Sequence, residues 1–202
     1  MKIIELKQTS PERLTLTFDD GSRLKTSLGV VTERFLHTGT ELSSEEYNEL
    51  CSASSLSLAK ARALHIINAR PMSRAEMYKR LIEKGETPEN AEHCADWLCD
   101  MGLINDRSYA GSVVRHYAAK GYGITRIRQE LNRHGISREL WDEALEEMPE
   151  QDDRIERFLR TRLTDPNDKA QVKKVTDALF RRGYTWDQIK HALNNYDSQE
   201  DY

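Results

Sequence analysis

Three glycines, Gly85, Gly135 and Gly183, each stand at the same point of a recurring pattern, and this recurrence constrains the fold more than any other feature of the chain. In register, the residue eight before the glycine is Met77, Ile127 or Val175, and the residue four before is Leu81, Leu131 or Leu179. Directly before it stands Lys84, His134 or Arg182. Two after comes a hydroxyl, Thr87, Ser137 or Thr185, and Thr87 is followed by Pro88. Six after lies Ala91, Trp141 or Ile189, and ten after lies Ala95, Leu145 or Leu193. Positions four apart share a helix face. Glycine adopts the left-handed conformation that ends a helix, and the hydroxyl satisfies the free N–H groups of the next one. Each unit therefore reads as helix, tight turn, helix. A further helix precedes each pair, over about 59–70 and ended by Pro71, over 107–120 and ended by Gly121, and over 152–164 and ended near Pro166. The expected architecture is mainly α: three tandem three-helix units resembling the helix-turn-helix class in size and turn. Their small apolar faces predict an elongated array in which neighbours pack in a line.

The first residues differ in kind. Leu14, Leu16 and Phe18 alternate with threonines, Asp19, Asp20 and Gly21 supply a turn, and Leu24, Thr26 and Leu28 continue the alternation. This predicts a β-hairpin, joined by Ile4 and Leu6 on a third strand. Two short helices should follow, one ending before Gly39 and one entered through Ser43 and Glu46, which form a capping box. The serine-rich stretch Cys51 to Ser57 reads as a linker. The expected organisation is an α+β extension over 1–57, units over 58–103, 104–149 and 150–197, and a tail over 198–202.

Charge and hydropathy narrow the function classes. Only 38% of the 202 residues are hydrophobic while 32% are charged, which suits a molecule with much surface per residue. No apolar run is long enough to span a bilayer, and the start carries no signal-peptide pattern, so a cytoplasmic protein is expected. Cys51, Cys94 and Cys99 lack metal-ligand spacing and are read as reduced, packing thiols. The net charge of −4 is unevenly spread. Arg107 to Arg138 holds seven basic residues against one acid, Glu130, and Arg154 to Gly183 holds nine against four. Between them, Glu139 to Asp153 carries eight acids and no Lys or Arg. Basic and acidic blocks thus alternate, a pattern able to meet both phosphates and basic protein surfaces.

The segment Gly102-Leu103-Ile104-Asn105-Asp106-Arg107-Ser108-Tyr109-Ala110, followed by Lys120-Gly121-Tyr122-Gly123, Ile127, Leu131 and Gly135-Ile136, resembles the hallmark region of the RecX family. Ser73-Arg74-Ala75-Glu76, Leu81 and Lys84-Gly85 resemble its first repeat, so the likeness covers about residues 58–196. Two departures stand out. Asn105 replaces an acid common in the family, leaving Asp106 able to cap, and the first 57 residues form an extension that only some members carry. The resemblance implies tandem three-helix repeats and a non-catalytic, monomeric regulator. Such a regulator binds along the groove of the RecA–DNA filament and restrains filament extension, strand exchange and ATP hydrolysis, in homologous recombination, DNA repair and the SOS response. It implies no cofactor and no membrane partner.

Candidate contacts to DNA or to acidic protein are Arg115, Lys120, Arg126, Arg128 and Arg133 in the second unit, where long cationic side chains surround a glycine turn. In the third unit, Arg157, Arg160, Lys173, Lys174, Arg181 and Arg182 make a second basic face. The bland alternative for both is a solvated helix face. Tyr109, Tyr117 and Tyr122 lie among these cations; Tyr109 reads as core, whereas Tyr122, between two glycines, is the best candidate for an exposed stacking residue. Trp97, Trp141 and Trp186 read as packing residues of the closing helices. For catalysis the chain offers little: its six histidines are scattered, no zinc motif and no P-loop is present, and the acidic run Glu143 to Asp153 reads as a solvated helix end and linker. No enzymatic activity is expected. Two competing readings are a free-standing helix-turn-helix DNA-binding regulator and a protein-only scaffold. Against the first, the closing helices begin with Glu139-Leu140-Trp141-Asp142-Glu143 and Trp186-Asp187-Gln188, acidic where a groove reader is usually basic.

Overall fold

The computed structural model describes residues 1–148 and 152–199. The chain divides into two compact units, Met1–Ile104 and Asn105–Tyr202.

In the first unit, β1 (Ile3–Ser10), β2 (Arg13–Phe18) and β3 (Arg23–Ser27) form an antiparallel sheet in the order β1-β2-β3. Leu14, Leu16 and Phe18 point into the core, as their alternation predicts. In the first strand the buried residue is Ile3 and not Ile4, which is exposed. A register irregularity between Ile3 and Glu5 turns the side chains over at this point. Leu28 does not extend β3: Ser27 caps a short helix, α1 (Leu28–Glu33), by accepting from the Val30 N–H.

The largest departure from the sequence reading concerns Cys51 to Ser57, expected as a linker and the end of a short helix. They lie inside α2 (Ser44–Ile67), a helix of 24 residues. Its capping box is as expected: Ser43 Oγ accepts from Glu46 N at 3.1 Å and Glu46 Oε2 accepts from Ser43 N at 2.7 Å. The serines persist in the helix because they are used. Ser54 is buried and donates to Thr26 Oγ1 at 2.8 Å, and Ser57 Oγ lies 2.6 Å from Ser27 Oγ, pinning α2 to β3. Leu50 joins the core under the sheet, whereas Ala59, Ala63 and Ile66 join the next one. One helix thus belongs to the extension and to the first repeat at once. α3 (Arg74–Glu83) and α4 (Pro88–Asp100) complete that repeat around Met77, Leu81, Ala91, Ala95 and Leu98.

The second unit holds two further repeats. α5 (Asp106–Ala119) and α6 (Ile124–Arg133) are followed by a single 3-10 turn (Arg138–Leu140) and α7 (Trp141–Glu146). α8 (Asp152–Arg162), α9 (Lys169–Arg181) and α10 (Trp186–Gln199) form the last. Ile127 and Leu131 occupy one core, and Val175, Leu179 and Ile189 the other, the registered positions of the repeat. Gly85, Gly135 and Gly183 all have positive φ, at 86°, 66° and 88°. Thr87 and Thr185 cap as expected, accepting from Asn90 N and Gln188 N. Ser137 does not: its helix opens as a 3-10 turn with Leu140 N bonded to Ser137 O, so the side chain makes no capping bond. At the entry to α5 the cap is Asn105 itself, whose Oδ1 accepts from Ser108 N at 3.0 Å, and not Asp106. The expected boundary at 149/150 and the end of the tail, 200–202, lie outside the described residues.

Candidate functional site

The basic and acidic blocks of the second repeat meet each other. Arg107 Nε lies 3.3 Å from Glu143, Arg115 pairs with Glu147, and Arg128 approaches Asp142 at 3.9 Å. Glu143 and Glu147 of the acidic run, read as a solvated end and linker, therefore pair with cations of α5, and Asp142 just before it meets one of α6; residues 149–151 of the run lie outside the described residues. Glu130 is the exception to the sequence picture. It is only 3% exposed, with Arg126 Nη2 and Arg133 Nε each 2.8 Å from its oxygens. Burial raises the Tyr117 phenol above its ordinary range, helped by its hydrogen bond to Glu130. Three of the aromatic and cationic candidates thus surround one buried carboxylate, a grouping signalled in the sequence only by the i−4 and i+3 spacing of the two arginines. Tyr122 is not the exposed ring expected between two glycines. It is half-buried against the second core, with Arg126 5.9 Å over its face.

The remaining cations are differently placed. Arg160 approaches Glu156 at 3.9 Å within α8. Among the described residues, Lys120, Arg157, Lys173, Lys174, Arg181 and Arg182 make no ion pair with a carboxylate. Lys120, Arg157 and Arg182, joined by Arg154, line one cleft of about 350 Å³ where the second and third repeats meet. Backbone bonds fix that junction. Gly123 N donates to Arg182 O at 2.8 Å, Thr125 N to Gly183 O at 3.1 Å, and the Tyr184 hydroxyl to Gly121 O at 3.1 Å. No sequence period signals these contacts, because they join residues about sixty positions apart.

The tryptophans also separate. Trp97 and Trp141 are half-buried against their cores, and Trp141 Nε1 donates to Ile136 O at 3.0 Å. Trp186, expected to pack, is 53% exposed and stacks flat on Phe180, itself 45% exposed, with centroids 5.9 Å apart. It stands at the first position of α10, where its ring lies over the preceding turn and outside the third core. Among the described residues no group of three or more His, Cys, Asp or Glu stands where it would hold a metal ion, and no helix is long and apolar enough to cross a membrane.

Comparison with known proteins matches residues 59–98 to the first three-helix domain of RecX and residues 105–145 to the second. The regulatory protein RecX of Xanthomonas axonopodis pv. citri is 34% identical over 134 residues, 65% of this chain and 83% of that protein. That of Vibrio campbellii is 30% identical over 139 residues, 67% of this chain and 90% of its own length. A crystal structure of regulatory protein RecX superposes with a TM-score of 0.73 at 25% identity, covering 94% of this chain and 98% of that one. The RecX structure from Lactobacillus salivarius shares the fold, with a TM-score of 0.64 at 22% identity over 72% of this chain and 98% of that one. The matched family domains coincide with the repeats built around Leu81 and Leu131, and on these grounds the chain belongs to the RecX family.

Proposed function

We propose that this chain is a regulator that binds the RecA–DNA filament and restrains the recombinase, lowering ATP hydrolysis and strand exchange without chemistry of its own. The observation that carries the reading, beside family membership, is the set of cations that have no carboxylate partner among the described residues. Lys120, Arg157, Lys173, Lys174, Arg181 and Arg182 keep their charge available for phosphate or acidic protein. Arg115, Arg126, Arg128 and Arg133 are engaged within the chain, so the filament-facing surface is assigned first to the third repeat and the end of α5. Pairs such as Arg115–Glu147 are exposed and worth about 0–1 kcal/mol each, so they can open on binding; the buried Glu130 group is not so easily released.

The free-standing DNA-regulator reading gains no support, since the acidic residues opening α7 pair with Arg107 and Arg128 of their own repeat. A cytoplasmic, monomeric protein fits the proposed role. The test is recombinase ATP hydrolysis on single-stranded DNA with the full chain in stoichiometric excess. Lowered hydrolysis and strand exchange are expected, and no change in either would overturn the reading.

A further inference from the structure

We propose that the cleft between the second and third repeats is a built site for a multiply charged phosphate group, a phosphate monoester or polyphosphate. This goes beyond filament binding, which needs only a cationic face. Four cations, Lys120, Arg154, Arg157 and Arg182, line about 350 Å³ together with Phe158 and Tyr184, and among the described residues no carboxylate lines it. They come from three segments: the end of α5, the first turns of α8 and the end of α9.

The arrangement is held in place before any ligand enters. The Arg182 guanidinium lies 4.8 Å over the Phe158 ring, and one of its nitrogens stands beside the Gly121 turn. Three carbonyls at the helix ends already accept hydrogen bonds: Gly121 O from the Tyr184 hydroxyl, Arg182 O from Gly123 N and Gly183 O from Thr125 N. What remains unsatisfied is a donor. Nη1 of the half-buried Arg154 is itself wholly buried and has no hydrogen-bond partner among the described residues. A buried guanidinium N–H without an acceptor is costly, and a turn of the Arg154 side chain into the cleft that it lines would bring that donor to an anion oxygen.

The charge count selects the ligand. Four like charges around one small space repel, and a phosphodiester with a single charge would leave most of that repulsion in place. A dianionic monoester or a polyphosphate removes more of it, and Arg presents fork-shaped donors suited to its several oxygens. A terminal phosphate on a nucleic acid and a free nucleotide carry the same chemistry.

The test is calorimetric titration of the full chain with inorganic pyrophosphate, against sodium chloride of matched ionic strength. One site per chain is expected. Arg154→Gln and Arg182→Gln should each weaken it at least tenfold, Arg154→Lys should recover part of the loss, and Lys173→Gln, which lies outside the cleft, should not change it. Circular dichroism checks that each variant folds. No saturable heat with pyrophosphate, or a loss on Lys173→Gln equal to that on Arg154→Gln, would overturn the proposal. Further titrations with ATP and with a 5′-phosphorylated dodecamer beside its 5′-hydroxyl form distinguish the sources. ATP binding at the same site points to free nucleotide, and a tenfold preference for the phosphorylated dodecamer points to a DNA end. These mixtures contain no recombinase, so failure here leaves the filament-binding reading standing, and failure of that reading leaves the titration unaffected.

Discussion

The amide of Gly123 donates to the carbonyl of Arg182 at 2.8 Å, a backbone bond between the second repeat and the third. Neither neighbour leaves room for a side chain: a Cβ on Gly123 would collide with Gly183 O, and one on Gly183 would come within 2.6 Å of Arg126 Cβ. Because backbone and not a flexible side chain is struck, Gly123→Ala should cost about 1–3 kcal/mol in chemical denaturation. Gly85→Ala is the control. Its φ is +86° but a Cβ there meets nothing within 4 Å, so only the left-handed penalty of about 1 kcal/mol applies. A Gly123→Ala chain as stable as wild type would show that this contact is not maintained in solution.

Glu130 anchors two arginines from a buried position, and its removal should be felt on stability before function. Glu130→Ala should lower unfolding free energy by about 2 kcal/mol, below the range for fully buried pairs because both arginines can turn to water. The same geometry alters how charge-reversal experiments are read. Changing Arg126, Arg128 and Arg133 together to Glu would crowd acids around Glu130 and unsettle the second core. The cleaner series is Lys173, Lys174 and Arg181 to Glu, which should weaken recombinase inhibition while leaving helicity and melting temperature within a few degrees. Retained inhibition would remove this face from the contact surface.

Much of this fold is legible in the residues because its determinants are local. The Leu81, Leu131 and Leu179 register, the glycine turns and the Ser43–Glu46 capping box each operate within a few positions, and each stands where the pattern places it. What escapes is what depends on distant partners. Ser54 looks like a linker residue until Thr26 is brought against it, and Glu130 looks like a lone surface acid until it is buried between its arginines. The candidate cations are visible as a list, but that Arg115 and Arg128 are already paired depends on α7 folding back onto α5 and α6.

Thiol reactivity should follow burial. Cys94 is fully buried in the first repeat, and desolvation raises its thiol above the ordinary range, with Lys60 opposing the shift. Thiolate is the reactive form, so at pH 8 Cys94 should alkylate with iodoacetamide at least tenfold more slowly than the half-buried Cys51. Peptide mass mapping over time measures the order; equal rates would mean that the first core opens readily.

Trp186 should dominate the accessible fluorescence. At 53% exposure it is open to acrylamide, whereas Trp97 and Trp141 are packed against cores. Trp186→Phe should remove most of the readily quenched emission and shift the remaining spectrum to shorter wavelength. An unchanged quenching curve would place Trp186 inside the fold.

Cosedimentation of the full chain with recombinase filaments on single-stranded DNA decides whether the filament is its partner. The wild-type chain should pellet with the filaments, and the Lys173→Glu, Lys174→Glu, Arg181→Glu variant should be retained at least tenfold less. A wild-type chain that stays in the supernatant with filaments in excess would contradict the account.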